Sequence, residues 1–458
     1  MEWDYGAVPE SSAVAQVKPS YGPFVDGRAV DGGDVRVTRN PATDEPLAEV
    51  GTAGPADVDG AVTAARRAHD GAWGVLAGPE RARLLFRIAG AVAGRARELA
   101  VLETLDTGRP VRATRDVDLP LVAAYLQSCA GWADKLPYAG HGPDPRPVGV
   151  VGVLVESRSP LLAAVRRIAP ALACGNAVVL VPDPDAPLSA LVLAQVVAEA
   201  GLPAGVLNVL PTVDRHSVAA LAQADVDAVV VTASQRTCRE VAGDVAGTGR
   251  RLALEPDGRT VHVVHDDAPL DQAVDGVADG LGTDQQVLVA EAVAEEFGEL
   301  LRERLAGLRV GDPLDRNTDV GPVGTAERRE RAEALAAAAD EEGAHRTTSP
   351  AALPGRGLFV APTLFTDVAP TMRLAREEVT GPLLPVLTFR TPAEAVATAS
   401  AGRRVRAAAV WTDKGSRALW TARNLRAGVV WVNAVDRADP AAPSSGAVLA
   451  DYLDITRR

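Results

Sequence analysis

The strongest structural signal in this sequence is the segment Val148-Gly-Val-Val-Gly-Val-Leu-Val155, a run of valine and glycine without a charged residue. A run that is apolar on both faces is typical of a strand in a buried parallel sheet. A helix is predicted over 160–173, where Pro160 begins it after Ser159 as the capping residue, and a second apolar strand is predicted over 177–181. This order indicates a β-α-β unit.

The alternation continues beyond this unit. Further helices are predicted over 188–200, 214–223 and 236–246, and further strands over 206–210, 226–231 and 252–254. Short connections between such elements predict a doubly wound parallel sheet, with a crevice for a nucleotide at the carboxyl ends of its strands. On the N-terminal side, apolar stripes predict helices over 80–104 and 120–134. Residues 262–430 alternate less regularly, with a helix over about 289–307 and an exposed polar loop over 345–357.

Composition narrows the class of protein. A net charge of −13 and a pI near 5.1 argue against a nucleic-acid surface or an anionic membrane as partner. No apolar run is long enough to span a bilayer, and the first residues lack the pattern of a signal peptide. Cys129, Cys174 and Cys238 are too few and too scattered for a disulfide framework or a zinc site. We therefore predict a reduced cytoplasmic protein without a metal.

Several segments resemble the NAD(P)-dependent aldehyde dehydrogenase superfamily. They are Ile168-Ala-Pro-Ala-Leu-Ala-Cys-Gly-Asn-Ala, Ala200-Gly-Leu-Pro-Ala-Gly-Val-Leu-Asn-Val, Val310-Gly-Asp-Pro-Leu-Asp, Ala375-Arg-Glu-Glu-Val-Thr-Gly-Pro and Leu425-Arg-Ala-Gly-Val-Val-Trp-Val-Asn. The likeness keeps the family order from about Phe24 to the C-terminus. It implies an α/β fold with a Rossmann-type doubly wound parallel sheet, a second α/β domain of the catalytic type and a small oligomerisation extension.

The resemblance also implies a division of the chain. The predicted parts are a flexible leader over 1–20, a cofactor-binding-type domain over 21–135 and 149–255, a catalytic-type domain over 256–446, and oligomerisation strands over 136–148 and 447–458.

The segment around the family's nucleophilic cysteine differs most. In the family this cysteine follows a Gly-Gln pair in a loop before a strand. Here the region reads Gly280-Leu-Gly-Thr-Asp-Gln-Gln-Val-Leu-Val, with Thr283-Asp-Gln-Gln in place of the family's Asn-Gln-Gly-Gln. This predicts that a short segment with the nucleophile is missing between Gln286 and Val287. Cys174 is interpreted as a packing residue. Cys238 lies near a helix start that can lower a thiol pKa, but that position faces the cofactor in the family.

Two catalytic positions keep a polar residue. Arg158 stands where the family's asparagine donates to the oxyanion, so it either polarises a carbonyl or is a solvated or ion-paired residue. Glu255 falls on the family's general-base position, although Pro256-Asp257-Gly258 replaces the flexible glycines that follow the base. A purely structural carboxylate is the alternative.

The cofactor positions also differ from the family. Its Lys-Pro-(Ala/Ser)-Glu segment for the adenosine ribose reads Val181-Pro-Asp-Pro here, and side chains at Ala233 and Cys238 are expected to narrow the approach of a dinucleotide. Ser234 and Glu378 match the family's remaining polar contacts to the cofactor, although either is also interpretable as a helix cap or surface residue. The prediction is no NAD(P) binding or weak NAD(P) binding.

These differences, beside a retained scaffold, lead to the hypothesis of a catalytically silent homologue. It would be a structural or regulatory subunit, in a homo-oligomer or in a hetero-oligomer with an active aldehyde dehydrogenase homologue. Two alternatives remain: an NAD(P)-dependent aldehyde oxidoreductase with an unorthodox site that uses Glu255 and Arg158, and a module that binds a metabolite or nucleotide.

Overall fold

The structure is a computed structural model that describes residues 6–139, 145–212, 215–401, 404–435, 440 and 449–454. The chain divides into two compact units. The N-terminal unit holds the described residues of 9–40, 45–256 and 439–458, and the C-terminal unit holds those of 6–8, 41–44 and 257–438. Among the described helices, none combines the length and the apolar character that a transmembrane segment needs.

The N-terminal unit begins with short strands and ends with regular alternation. Its strands are β1 Ser20–Tyr21, β2 Phe24–Val25, β3 Arg28–Ala29, β4 Val35–Arg39, β5 Pro46–Gly51, β6 Arg146–Pro147, β7 Val150–Val155, β8 Ala177–Val181, β9 Leu207–Val209, β10 Ala228–Ala233 and β11 Arg251–Pro256. Its helices are α1 Pro55–Ala68, α2 Gly78–Gly94, α3 Ala96–Thr107, α4 Val111–Ala113, α5 Leu119–Trp132, α6 Pro160–Cys174, α7 Leu188–Glu199, α8 Arg215–Gln223 and α9 Gln235–Val245.

Its main sheet has the strand order β11-β10-β7-β8-β9-β2-β3, and the first five of these strands are parallel. Every residue of β7, β8 and β10 is buried, as the valine-rich runs predict. The predicted doubly wound sheet is therefore confirmed. The helix predicted over 80–104 is wrong in one respect, because α2 and α3 are separate helices that meet at Arg95.

Two carboxyl groups of α3 cap other helices of this unit. Ser159 precedes α6 as predicted, but its side chain makes no capping hydrogen bond. Instead, the Leu161 backbone N–H at the start of α6 donates to Glu103 Oε1 at 3.1 Å. One turn along α3, Asp106 Oδ2 accepts the Leu188 N–H at the start of α7 at 2.9 Å. Both carboxyl side chains are buried, so α3 fixes the first turns of two helices from inside the unit.

The C-terminal unit contains a second α/β sheet. Its strands are β12 Arg259–Val264, β13 Gln285–Ala290, β14 His345–Thr348, β15 Thr363–Thr366, β16 Leu383–Phe389, β17 Val405–Trp411 and β18 Ala427–Val432. Its helices are α10 Leu270–Asp279, α11 Ala294–Ala306, α12 Ala326–Glu341, α13 Arg373–Arg376, α14 Pro392–Ser400 and α15 Gly415–Asn424. The strand order is β14-β15-β16-β13-β12-β17-β18, parallel except for β14. This sheet confirms the predicted second α/β domain.

Two predictions for this unit are wrong. The helix predicted over about 289–307 begins only at Ala294, because Val289 and Ala290 belong to β13. The polar loop predicted over 345–357 begins with strand β14, which pairs antiparallel with β15.

The C-terminal segment packs into the N-terminal unit. Strand β19, Leu453–Asp454, pairs antiparallel with β6. The side chains of Tyr452 and Leu453 are buried, and the Asn176 side-chain amide donates to the Tyr452 carbonyl at 2.9 Å. These two strands belong to the predicted oligomerisation extension, and their pairing with another chain stays a prediction. Residues 140–144, 441–448 and 455–458 of the predicted extension and its flanks lie outside the described residues, as do residues 1–5 of the predicted leader.

Part of the predicted leader is described. Residues 12–15 form a 3-10 turn against α3, and the buried Glu10 carboxylate forms an ion pair with Arg97. This part of the leader thus packs on the N-terminal unit.

Candidate functional site

A cleft of about 370 Å³ opens at the carboxyl ends of β7 and β8, beside α9. Leu154, Val181, Val218 and Val241 give it an apolar wall. Its polar lining includes the hydroxyl groups of Thr212 and Thr237 and the charged side chains of Glu156, Arg236, Glu240 and Asp244. The carboxyl edge of a doubly wound sheet is where such folds bind ligands, so we call this cleft the crevice and treat it as the candidate binding site.

The first turn of α9 forms one side of the crevice. The Ser234 hydroxyl accepts the Thr237 N–H at 3.1 Å and caps this helix. The Thr237 hydroxyl lies 2.9 Å from Glu156 Oε2, to which it donates. Ser234 was predicted from the sequence as a site residue, whereas Glu156 was not, although an acidic residue directly after the apolar run of β7 is a visible signal. A carboxylate at this place lies near the positive end of the helix dipole.

The side chains of Ala233 and Cys238 are buried in the core cluster of the N-terminal unit, and the Cys238 thiol lies 3.7 Å from the Ala233 carbonyl. Ala233 ends β10, and Cys238 lies in the first turn of α9. That these side chains narrow the approach of a dinucleotide stays a prediction.

Glu255 lies near the end of β11, beside Thr232 of β10. Its carboxylate forms an ion pair with Arg167, and its other oxygen lies 3.4 Å from the Arg166 guanidinium. Arg167 is itself held by a hydrogen bond of 2.9 Å from its Nε to the Thr232 hydroxyl. Burial lowers the pKa of Arg167 from its ordinary value. Neither arginine was predicted as a site residue, although a pair of charges within the apolar helix α6 is an unusual pattern.

Arg158, the other predicted catalytic residue, lies in the loop between β7 and α6 and is partly buried. This loop is anchored by the Ser157 N–H, which donates to Asp183 Oδ2 at 2.8 Å. Both Arg158 and Glu255 thus belong to the N-terminal unit, on segments that leave the same sheet at its carboxyl edge.

The region of the family's nucleophile forms a tight turn in the C-terminal unit. After α10, the Thr283 hydroxyl donates to the Gly280 carbonyl at 2.7 Å, and β13 begins at Gln285. Asp284 Oδ1 lies 3.2 Å from Arg259 Nε and accepts the Val379 N–H at 3.2 Å. The turn 280–284 therefore joins helix to strand without a cysteine.

The three cysteines of the chain are all buried. Burial raises the pKa of the Cys129 thiol to about 12 and raises that of Cys174 above its ordinary range. A thiol becomes a nucleophile as its thiolate, which needs an exposed and electropositive environment. Neither Cys174 nor Cys238 has the exposure of a catalytic thiol.

Glu378, the second predicted cofactor residue, belongs to the C-terminal unit. It lies between α13 and β16, its side chain is 28% exposed, and its carboxylate is 3.9 Å from the Arg331 guanidinium. Arg259 Nη2 donates to the preceding carbonyl, that of Glu377, at 2.6 Å. Among the described residues, no group of histidine, cysteine and carboxylate side chains has the arrangement of a metal site.

Known proteins resemble this chain over nearly its full length. The sequence profile of the aldehyde dehydrogenase family matches residues 30–448. The betaine aldehyde dehydrogenase of Rhizobium leguminosarum bv. trifolii is 35% identical over 454 residues, which cover 94% of this chain and 92% of that protein. The NAD+ complex of an aldehyde dehydrogenase from Bacillus cereus superposes with a TM-score of 0.91 at 29% identity, over 98% of both chains. A mutant indole-3-acetaldehyde dehydrogenase of P. syringae in complex with NAD+ and IAA has a TM-score of 0.88 at 36% identity, over 93% of this chain and 91% of that one.

These relatives correct two predictions made from the sequence. The hypothesis of a catalytically silent structural or regulatory subunit is contradicted, because similar proteins are named as dehydrogenases. The prediction of no or weak NAD(P) binding is contradicted as well, because structures with this fold contain NAD+.

The family profile, the similar sequences and the solved structures all indicate the same family. The two α/β units that the sequence predicts are shared with the B. cereus enzyme over nearly the whole chain. On these findings the chain belongs to the aldehyde dehydrogenase family.

Proposed function

We propose that this chain is an oxidoreductase that uses NAD(P) and acts on aldehydes. The observation that carries the proposal is the carboxyl edge of the N-terminal sheet. There the crevice opens beside β7 and β8, and Glu255 lies near the end of β11 in the same unit. A binding site and a positioned carboxylate at one sheet edge are what hydride transfer with proton removal requires.

The residues of the crevice fit a dinucleotide. Its apolar wall suits an adenine ring, and the hydroxyl groups of Thr212 and Thr237 suit a ribose. At the first turn of α9, which Ser234 caps, the positive end of the helix dipole and the Arg236 guanidinium favour a phosphate, and the Glu156 carboxylate opposes it. We propose Ser234, beside the crevice, as a cofactor-binding residue, and we propose the same role for Glu378, as the family resemblance implies. When bound, NAD(P) supplies the acceptor for a hydride.

We infer that the segment with the family's nucleophile is missing and that the reaction proceeds without a thioester. All three thiols are buried, and the turn 280–284 holds no cysteine. An aldehyde in water is partly hydrated, and its hydrate carries one hydrogen and two hydroxyl groups on the same carbon. Breaking one O–H bond and the C–H bond, while a C=O bond forms, gives the carboxylic acid. The hydride leaves to the dinucleotide, and the proton passes to a base.

Glu255 is the base in this proposal. Its Oε2 is held by Arg167, whereas its Oε1 makes a longer contact of 3.4 Å with the Arg166 guanidinium. The side chain is 31% exposed, so Oε1 can accept a proton from a bound hydrate and release it to water. Arg158 is proposed to orient the hydrate from the loop that follows β7.

The experiment is an assay of NAD(P)H absorbance with the purified chain and a panel of aliphatic, aromatic and amino-substituted aldehydes. We expect reduced dinucleotide to form with at least one class, and we expect prior treatment with iodoacetamide to leave the rate unchanged, because the thiols are buried. Absence of turnover with the whole panel would contradict the proposal. Loss of turnover after alkylation would contradict the thiol-free chemistry but not the oxidoreductase.

Charge in the crevice predicts a preference between the two dinucleotides. Among the described lining residues, three carboxylates stand against one guanidinium, and Val181 occupies the place of the family's lysine. The extra 2′-phosphate of NADP+ adds negative charge there, so we expect KM to be about tenfold lower for NAD+ than for NADP+. Steady-state kinetics at low salt measure this ratio. The double variant Glu240→Gln with Asp244→Asn is expected to reduce it, and the exposed Glu199→Gln is the control.

We also infer that the chain forms a homo-oligomer. Strand β18 is an edge of the C-terminal sheet, and its Val429 and Val432 side chains are 50% and 44% exposed. An open apolar edge favours pairing with another strand. Size exclusion with light scattering tests this. Val432→Lys should shift the protein to a smaller species, whereas Val75→Lys, at an 82% exposed position, should not.

A further inference from the structure

One buried guanidinium in the C-terminal unit connects three separate segments of the chain. Arg259, the first residue of β12, is 4% exposed. Its Nε lies 3.2 Å from Asp284 Oδ1 in the turn 280–284. Its Nη2 donates to the Glu377 carbonyl at 2.6 Å, and its Nη1 donates to the Ala375 carbonyl. The strand start, the turn and the segment that carries Glu378 therefore meet at this side chain.

Asp284 completes the connection from the side of the turn. The same Oδ1 that meets Arg259 accepts the Val379 N–H at 3.2 Å, so the backbone is held on both sides of Glu378. Gly282 of the turn and Gly381 form an isolated antiparallel bridge a little further along. The segment 375–381 is thus fixed to the turn at several points, while the Glu378 side chain remains 28% exposed and accessible to a ligand.

The chemistry of these contacts requires arginine. A guanidinium offers donors in a rigid planar fork, which here reach a carboxylate and two carbonyl groups at once. A lysine ammonium is a single point charge on a flexible stem and does not reproduce this geometry. Hydrogen bonds from a charged donor in a buried place are stronger than those between neutral groups, so the fork is a stiff connection.

We propose that Arg259 is a positioning residue that sets the place of Glu378 by holding segment 375–381 against the turn 280–284. Glu378 is the carboxylate proposed above to contact the bound dinucleotide, so this inference rests on the proposed function for its kinetic consequence. The structural part of the inference is that Arg259 holds segment 375–381 in place, and this part can be tested even if the chain shows no turnover.

Amide hydrogen exchange tests the structural part without a cofactor. In the full-length chain, the amides of 377–381 should exchange about tenfold faster in Arg259→Met than in the unchanged protein, because loss of the fork opens this segment locally. Arg259→Lys should lie between the two. The control Arg346→Met removes an exposed guanidinium that pairs with Asp340 in the same unit, and it should leave these amides unchanged. Equal exchange in Arg259→Met and the unchanged protein would overturn the proposal.

A double-mutant cycle tests the kinetic part. Arg259→Met and Glu378→Gln should each raise KM for NAD+ by about tenfold, with a smaller effect on kcat, because a misplaced or absent carboxylate weakens binding. The double variant should be no worse than Glu378→Gln alone, since Arg259 acts through Glu378. If the two substitutions raise KM independently, so that their effects multiply in the double variant, Arg259 does not act by positioning Glu378. If the unchanged chain shows no turnover, the proposed function fails, and the exchange experiment still decides the role of Arg259. If Arg259→Met fails to fold, the exchange of Arg259→Lys is compared with that of Arg346→Met.

Discussion

Replacing Glu255 with glutamine is expected to lower kcat for aldehyde oxidation by about 10²- to 10⁴-fold, the range that a positioned general base supplies. Glutamine has the shape of glutamate and keeps an oxygen for Arg167, so the local structure is retained. It does not accept a proton at neutral pH, so the hydrate loses its base. The loss is therefore expected in kcat, while KM for NAD+ changes little, because Glu255 is not among the lining residues of the crevice.

Steady-state kinetics of purified Glu255→Gln measure this effect, and circular dichroism verifies the fold. Glu199→Gln is the matched control, because Glu199 is a carboxylate 71% exposed at the end of α7. A kcat within about twofold of the unchanged protein would mean that another group takes the proton. In that case Glu255 would be a structural carboxylate that neutralises Arg166 and Arg167.

Replacing Glu103 with glutamine is expected to remove a pH dependence of stability. Burial raises the pKa of Glu103 from 4.5 to about 7, with smaller opposing effects from its hydrogen bonds. The charge of Asp118 adds to the rise of the Glu103 pKa, and that of Arg109 lowers this pKa. Because the folded state keeps this proton to a higher pH than the unfolded chain, the free energy of unfolding falls as the pH rises from 4.5 to about 7. The shift corresponds to a loss of about 3 kcal/mol.

Urea unfolding at a series of pH values measures this contribution. The difference in stability between Glu103→Gln and the unchanged protein should grow in favour of the variant through this interval, and it should stay constant above it. Glutamine still accepts the Leu161 N–H, so the start of α6 keeps its cap. Glu80→Gln, an exposed carboxylate on the neighbouring helix α2, is the control and should have the pH dependence of the unchanged protein. Parallel curves for Glu103→Gln would show that the carboxyl ionises in the folded state as it does in water.

Sequence patterns predicted the N-terminal sheet because β7, β8 and β10 are continuous apolar runs between short connections. They failed where tertiary pairing decides the outcome. Val289 and Ala290 suit a helix as well as a strand, and only the neighbouring strands β12 and β16 place them in β13. The residues of β14 are polar, and its pairing with β15 is what makes it a strand.

Family motifs indicated Glu255, Ser234 and Glu378 as site residues, and the roles of these residues stay predictions. Contacts between residues far apart in the sequence were not predictable. Arg166 and Glu255 are 89 positions apart, and Arg259 meets a carbonyl 118 positions away.

The return of the C-terminal segment to the N-terminal unit has a consequence for biosynthesis. Asn176 and Tyr452 are 276 positions apart, yet the amide of one holds the carbonyl of the other. On the ribosome, β7 and β8 emerge long before residue 452 exists, and residues 257–438 of the C-terminal unit are translated in between. During that interval the nascent N-terminal unit lacks Tyr452 and Leu453, whose side chains are buried in the folded unit. A message cut short before this segment would yield a chain with apolar surface uncovered, a target for chaperones and proteases.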